Sequence, residues 1–145
     1  MQQITKRNIS SLLLLFITCV ASVNASEPVD MPAQIDGAQT VDAEGLIELV
    51  GEAGLVLVDA RISSDRIHGY IEGSHSLPDV ETNCQTLAEI IPDKHQAVLF
   101  YCNGVKCGRS VKSIRTALAC GYDKLYWFRG GFEEWHAKQY PVIKL

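Results

Sequence analysis

The chain has 145 residues, 47% of them hydrophobic, with 13 basic and 17 acidic side chains for a net charge of −4. That length suits one domain rather than two. An acidic balance argues against a nucleic-acid partner, which is held by clustered Lys and Arg that neutralise phosphates.

Residues 1–25 read as a removable export signal. Lys6 and Arg7 precede an apolar core from Leu12 to Val20, and Val23 and Ala25 sit where a cleavage site would fall. The apolar run is shorter than the roughly 20 residues of a membrane span, which disfavours an uncleaved anchor. Lipidation at Cys19 is disfavoured because Thr18 is a poor residue to precede it. Removing the signal leaves 11 basic and 17 acidic residues, a net of −6. The expectation is an exported, periplasmic protein with no stable membrane anchor after cleavage. Residues 26–41 read as a leader, with Pro28 and Pro32 and little periodicity, and the domain is expected over 42–145.

From Asp42 the pattern alternates. Asp42 caps a helix to Val50, closed by Gly51 and Gly54. Leu55 to Val58 is a continuous apolar run ending in Asp59, the pattern of a strand buried on both faces. A polar stretch leads to a short strand over 74–77, stopped by Pro78, and then a helix over 82–91. Ala97 to Tyr101 is a second buried strand, followed by a loop and a helix from about Gly108 to Cys120. A last strand over 125–128, the turn Gly130-Gly131 and a short helix over 132–138 complete the order. Strands alternating with helices predict an α/β fold: a parallel sheet covered on both faces, with its functional site at the carboxyl ends of the strands.

Cys102 sits at such an end. The loop Cys102-Asn103-Gly104-Val105-Lys106-Cys107-Gly108-Arg109 joins strand to helix, so its backbone N–H groups can curl into an anion nest. The following helix contributes the positive end of its dipole. Both favour a thiolate at Cys102, the form in which cysteine is a nucleophile. No Asp or Glu lies between Lys94 and Tyr122, whereas Lys106, Arg109, Lys112 and Arg115 do, which predicts a local positive field. Cys107 is either a thiol that resolves an oxidised or persulfidated Cys102 through a disulfide, or a packed loop residue. Cys120 reads as a small buried apolar residue, and Cys84 either packs or pairs with another loop thiol. His68, His75, His95 and His136 are scattered singly, so neither a metal nor a cofactor is expected. Trp127 and Trp135 read as packing residues.

Five segments in order carry a resemblance. They are Asp59-Ala60-Arg61, Gly69-Tyr70-Ile71-Glu72-Gly73-Ser74, Phe100-Tyr101-Cys102, Gly121-Tyr122, and Gly130-Gly131-Phe132-Glu133-Glu134-Trp135 with Pro141-Val142. Together they resemble the motifs of rhodanese-like domains, with Tyr70 where that family usually has His. The resemblance implies a five-stranded parallel sheet with helices on both faces and an active-site loop that begins at Cys102. It also implies a sulfurtransferase in which Cys102 takes a sulfane sulfur from a small donor anion, holds it as a persulfide and passes it to a thiol acceptor. By similarity, Asn103 to Gly108 supply amides, Arg109 binds substrate, and Asp59 with Arg61 braces the fold beside the site. Six residues separate Cys102 from Arg109, more than in short-loop sulfurtransferases and one more than in the Cys-x5-Arg phosphate loop, so a phosphatase is disfavoured. The alternatives are a thiol-disulfide or persulfide redox protein using Cys102 with Cys107, and a non-catalytic binding module of the same fold.

Overall fold

The structure, a computed structural model, describes residues 31–52 and 54–144. The expected export signal lies outside the described residues. In chain order the elements are β1 (Ala38–Val41), α1 (Ala43–Val50), β2 (Val56–Asp59), a 3-10 turn (Ser63–His68), β3 (His75–Ser76) and α2 (Cys84–Ile90). There follow β4 (Val98–Tyr101), α3 (Arg109–Ala119), β5 (Leu125–Phe128) and α4 (Gly131–Ala137). The strands form one parallel sheet in the order β1-β5-β4-β2-β3.

Side-chain alternation along the strands sorts the core into two layers. Val58, Val98, Phe100, Leu125 and Trp127 point to one face, under Leu87 of α2 and Val111, Ile114 and Ala117 of α3. Leu57, Leu99, Tyr101 and Phe128 point to the other, under Ala43 and Leu46 of α1 and Trp135 of α4. Helices therefore cover both faces, and central β4 is buried along its whole length. Local chemistry sets the helix starts. Asp42 accepts from the Gly45 amide at 2.9 Å, and Asn83 with Thr86 forms a reciprocal capping box on α2.

Two expectations are corrected. The stretch read as a leader to residue 41 supplies β1, which pairs with β5 from Ala38–Leu125 to Val41–Phe128. As an edge strand with exposed Gln39 and Thr40 it needs no apolar run, so the sequence lacks the usual signal. Cys120 is not merely packed, and Cys84 does not pair with a loop thiol. The two form a disulfide across 36 residues, joining the start of α2 to the end of α3. Packing of α2 beside α3 on one face of the sheet brings them together.

Register aligns the carboxyl ends of the three central strands. Asp59 lies beside Tyr101, and Tyr101 beside Phe128. The chain leaves this edge at Cys102.

Candidate functional site

The loop after β4 is held from below by α4. The Phe132 amide donates to the Cys102 carbonyl at 2.8 Å, and the Glu133 amide to the Asn103 carbonyl at 2.7 Å. These are free amides of the first turn of α4, satisfied by the loop instead of by a cap. Such close contact demands glycine at 131: its φ is +58°, and a Cβ there would lie 2.3 Å from the Cys102 carbonyl oxygen. Asn103 is tied sideways, its amide nitrogen donating to Asp65 at 3.0 Å. Gly104 is buried against Glu133, Val105 and Lys106 form the exposed tip, and the Cys107 amide closes the turn onto the Gly104 carbonyl at 2.9 Å. Gly108 precedes α3, and Arg109 is its first residue.

Cys102 lies at the bottom, 2% exposed, while Cys107 is half-buried above it. Both are free thiols. The Cys102 thiol donates to the Cys107 carbonyl at 3.0 Å. From the other side it accepts from the Ser110 hydroxyl at 3.3 Å, which in turn accepts from the Trp127 indole N–H at 3.0 Å. Trp127 thus also fixes a donor that faces the sulfur, a role its apolar surroundings hide in the sequence.

The two thiols are shifted in opposite directions, and the loop favours the charge on Cys107. Cys107 is lowered from an ordinary value of 9.0 to about 5. The largest cause is the hydrogen bond from Cys102, followed by the backbone amides of Arg109 and Asn103 and the Arg109 side chain, against the opposing cost of burial. Cys102 is pushed up by its bond to Cys107 and by burial, opposed by the hydroxyl and amide of Ser110. The loop amides of Arg109 and Asn103 thus favour the thiolate at Cys107, where the sequence reading expected it at Cys102.

The expected positive field is also reduced. Asp79, from the segment after β3, lies 3.5 Å from Arg109 and 3.1 Å from Lys112. Asp65 and Glu133 approach the loop at Asn103 and Gly104. A window on Lys94 to Tyr122 could not register these carboxylates, because other segments deliver them. A cleft of about 580 Å³ opens above, lined by Asp79, Cys107, Arg109, Lys112 and Glu133 among others. Among the described residues, no three His, Cys, Asp or Glu side chains converge as metal ligands.

Beneath the loop, Asp59 and Arg61 are fully buried and form a two-pronged ion pair at 2.9 and 2.7 Å. Arg66, which the sequence reading missed, joins the Asp59 carboxylate at 2.9 Å, and the Tyr101 hydroxyl donates to it at 2.9 Å. Burial and the Asp59 charge push Tyr101 up, which keeps it a donor. Tyr70, in the place of the resembled His, lies under the Arg66 guanidinium at 3.7 Å. The Arg61 guanidinium lies 4.3 Å from the Phe132 ring, and the Phe132 amide holds the Cys102 carbonyl. The cluster positions the loop and does not touch either thiol.

The family model for the Rhodanese-like domain matches residues 42–138. No curated protein matches the sequence. Among solved structures, the chain is similar to the BH2092 protein of Bacillus halodurans at 23% identity and a TM-score of 0.65, covering 74% of this chain and 77% of that one. It is similar to a thiosulfate sulfurtransferase from Pseudomonas aeruginosa at 24% identity and TM-score 0.60, over 74% of this chain and 20% of that one. A rhodanese with anions from E. coli aligns at 22% identity and TM-score 0.53, over 63% and 99% respectively.

Proposed function

This chain belongs to the rhodanese-like domain family, and we propose that it is a sulfurtransferase that moves a sulfane sulfur through a persulfide on Cys102. The observation that carries the reading is a pair of free cysteines in the loop at the carboxyl edge of the sheet, with the Cys102 sulfur 3.0 Å from the Cys107 carbonyl and 3.3 Å from the Ser110 hydroxyl. The likeness to a thiosulfate sulfurtransferase supports the donor class, a small sulfur-bearing anion.

The resting pair is a Cys102 thiol beside a Cys107 thiolate. When a donor such as thiosulfate enters the cleft, Cys107 takes the Cys102 proton, and the Cys102 sulfur attacks the sulfane sulfur. The bond from sulfur to the sulfonate group breaks, and sulfite leaves with its electron pair. Neutral Cys107 no longer needs the amides of Asn103 and Arg109, so it withdraws toward the cleft it lines. The outer, anionic sulfur of the persulfide takes its place in the nest. Asn103, Gly104, Val105, Lys106 and Gly108 shape this cup, and Arg109 with Lys106 attracts the donor. A thiol acceptor then removes the sulfur. Export to the periplasm accompanies this reading, supported by the Cys84–Cys120 disulfide, which an oxidising compartment maintains. Nucleic acid has no place in it.

Thiosulfate and cyanide supplied together are expected to yield thiocyanate, and Cys102→Ser is expected to abolish this. Turnover that persists in the variant would refute the assignment of Cys102. Wild-type turnover no higher than that of Cys102→Ala would indicate a binding module instead.

A further inference from the structure

We propose that Cys107 attacks the Cys102 persulfide, discharging the sulfane sulfur as hydrosulfide and leaving a Cys102–Cys107 disulfide. This rests on the sulfurtransferase reading and adds a second fate for the same sulfur, one that needs no external acceptor.

The geometry points to it. The loop sets the second thiol-bearing residue beside the first: the Cys102 thiol donates to the Cys107 carbonyl at 3.0 Å, both cysteines are free, and Cys107 lines the cleft above. The inner sulfur of a Cys102 persulfide therefore stays within one residue's reach of Cys107, whose side chain can turn onto it after loading. Four residues separate the two cysteines, so little chain entropy opposes closing the ring. Gly104 and Gly108 within the loop ease the backbone change. The other cysteines among the described residues are already joined to each other, so they do not compete.

The step balances with the one proton the pair contains. After loading, the persulfide is on Cys102 and the proton on Cys107. The proton moves to the outer sulfur, restoring the Cys107 thiolate. This attacks the Cys102 sulfur, forming the bond between the two cysteines and breaking the bond to the outer sulfur, which leaves as hydrosulfide with the electron pair. The two cysteines are oxidised by two electrons and the sulfane sulfur is reduced by two. In total, the thiol–thiolate pair and thiosulfate give a disulfide, hydrosulfide and sulfite. Further turnovers require a dithiol reductant to reopen the disulfide.

The test is a single turnover of the full domain. Protein with Cys102 and Cys107 reduced, freed of reductant under anaerobic conditions, is mixed with thiosulfate without cyanide or thiol. Hydrosulfide is trapped with a bimane, and the product is mapped as peptides without reduction. Wild type is expected to release close to one equivalent of hydrosulfide and to show a Cys102–Cys107 linkage about 2 Da lighter than the dithiol. Cys107→Ser, loaded at alkaline pH where Cys102 ionises unaided, is expected to stop at a gain of about 32 Da on the Cys102 peptide, without hydrosulfide. Its discharge by cyanide shows that the variant is folded. Wild type that releases sulfite but keeps the added sulfur would overturn this inference alone. So would hydrosulfide release undiminished in Cys107→Ser. Absence of sulfite and of added mass in either protein, with glutathione persulfide failing as a donor too, would overturn the sulfurtransferase reading together with it.

Discussion

Replacing Cys84 and Cys120 together by serine removes the covalent link between α2 and α3 while leaving both thiols of the functional loop untouched. The link spans 36 residues. In the chain-entropy treatment, a closed loop of that size removes about 13 cal/mol/K from the unfolded state, or about 4 kcal/mol at room temperature. A domain of this size has a total stability of about 5–15 kcal/mol, so the double variant is expected to fold but with a much smaller margin. Urea unfolding followed by tryptophan fluorescence reads the loss directly, since Trp127 lies in the layer that α2 and α3 cover. The midpoint is expected to fall and the slope to steepen, since the unlinked unfolded chain exposes more surface, with a loss equivalent to about 3–4 kcal/mol. Thiocyanate formation below the unfolding transition is expected to persist, because neither cysteine touches the loop. A loss below about 0.5 kcal/mol, the range of ordinary surface changes, would refute the assignment of this disulfide as a staple.

Gly131→Ala is expected to cost more than the about 1–2 kcal/mol of a left-handed alanine, because its Cβ meets the Cys102 carbonyl. Gly73→Ala shares the positive φ with nothing within 4 Å, so it measures the conformational part alone, and equal losses in the two variants would refute the clash. Ser110→Ala removes a donor from Cys102 and leaves the Trp127 N–H buried without its acceptor, an expected loss of about 1–3 kcal/mol in stability. Persulfide formation in that variant is expected to slow by up to about tenfold, the equivalent of one neutral hydrogen bond, and an unchanged rate in a stopped-flow assay of sulfite release would count against the Ser110 contact.

Apolar runs made the sheet interior legible. Leu55 to Val58, Ala97 to Tyr101 and Leu125 to Phe128 give β2, β4 and β5 with shifts of at most one residue, because strands buried on both faces need continuous apolar sequence. β1 was hidden for the opposite reason: an edge strand half in solvent tolerates Gln39 and Thr40. Cys102 was legible from its place after a buried strand and before a helix, and Cys107 from its spacing. Which of the two thiols the loop acidifies was not, since that depends on how Asn103 and Arg109 turn at the two ends of the loop. Arg66 lies in a short polar turn without periodicity, and its partner Asp59 is seven residues away across a bend. The disulfide depends on two helices meeting over a sheet face, which spacing along the chain does not encode.

A thiolate titration by ultraviolet absorbance tests the opposite shifts of the two thiols most directly. The wild type is expected to show one thiolate with a midpoint near about 5, far below the ordinary 9.0, and no second ionisation until far into the alkaline range. Because Cys107 in its thiolate form is the base for Cys102, sulfite release from thiosulfate is expected to fall as pH drops through that same midpoint and to level off above it. Cys102→Ser removes the thiol that stabilises the charge, so its midpoint is expected to move back up toward the ordinary value. Two thiols ionising together near 9.0, with no thiolate at neutral pH, would contradict the account.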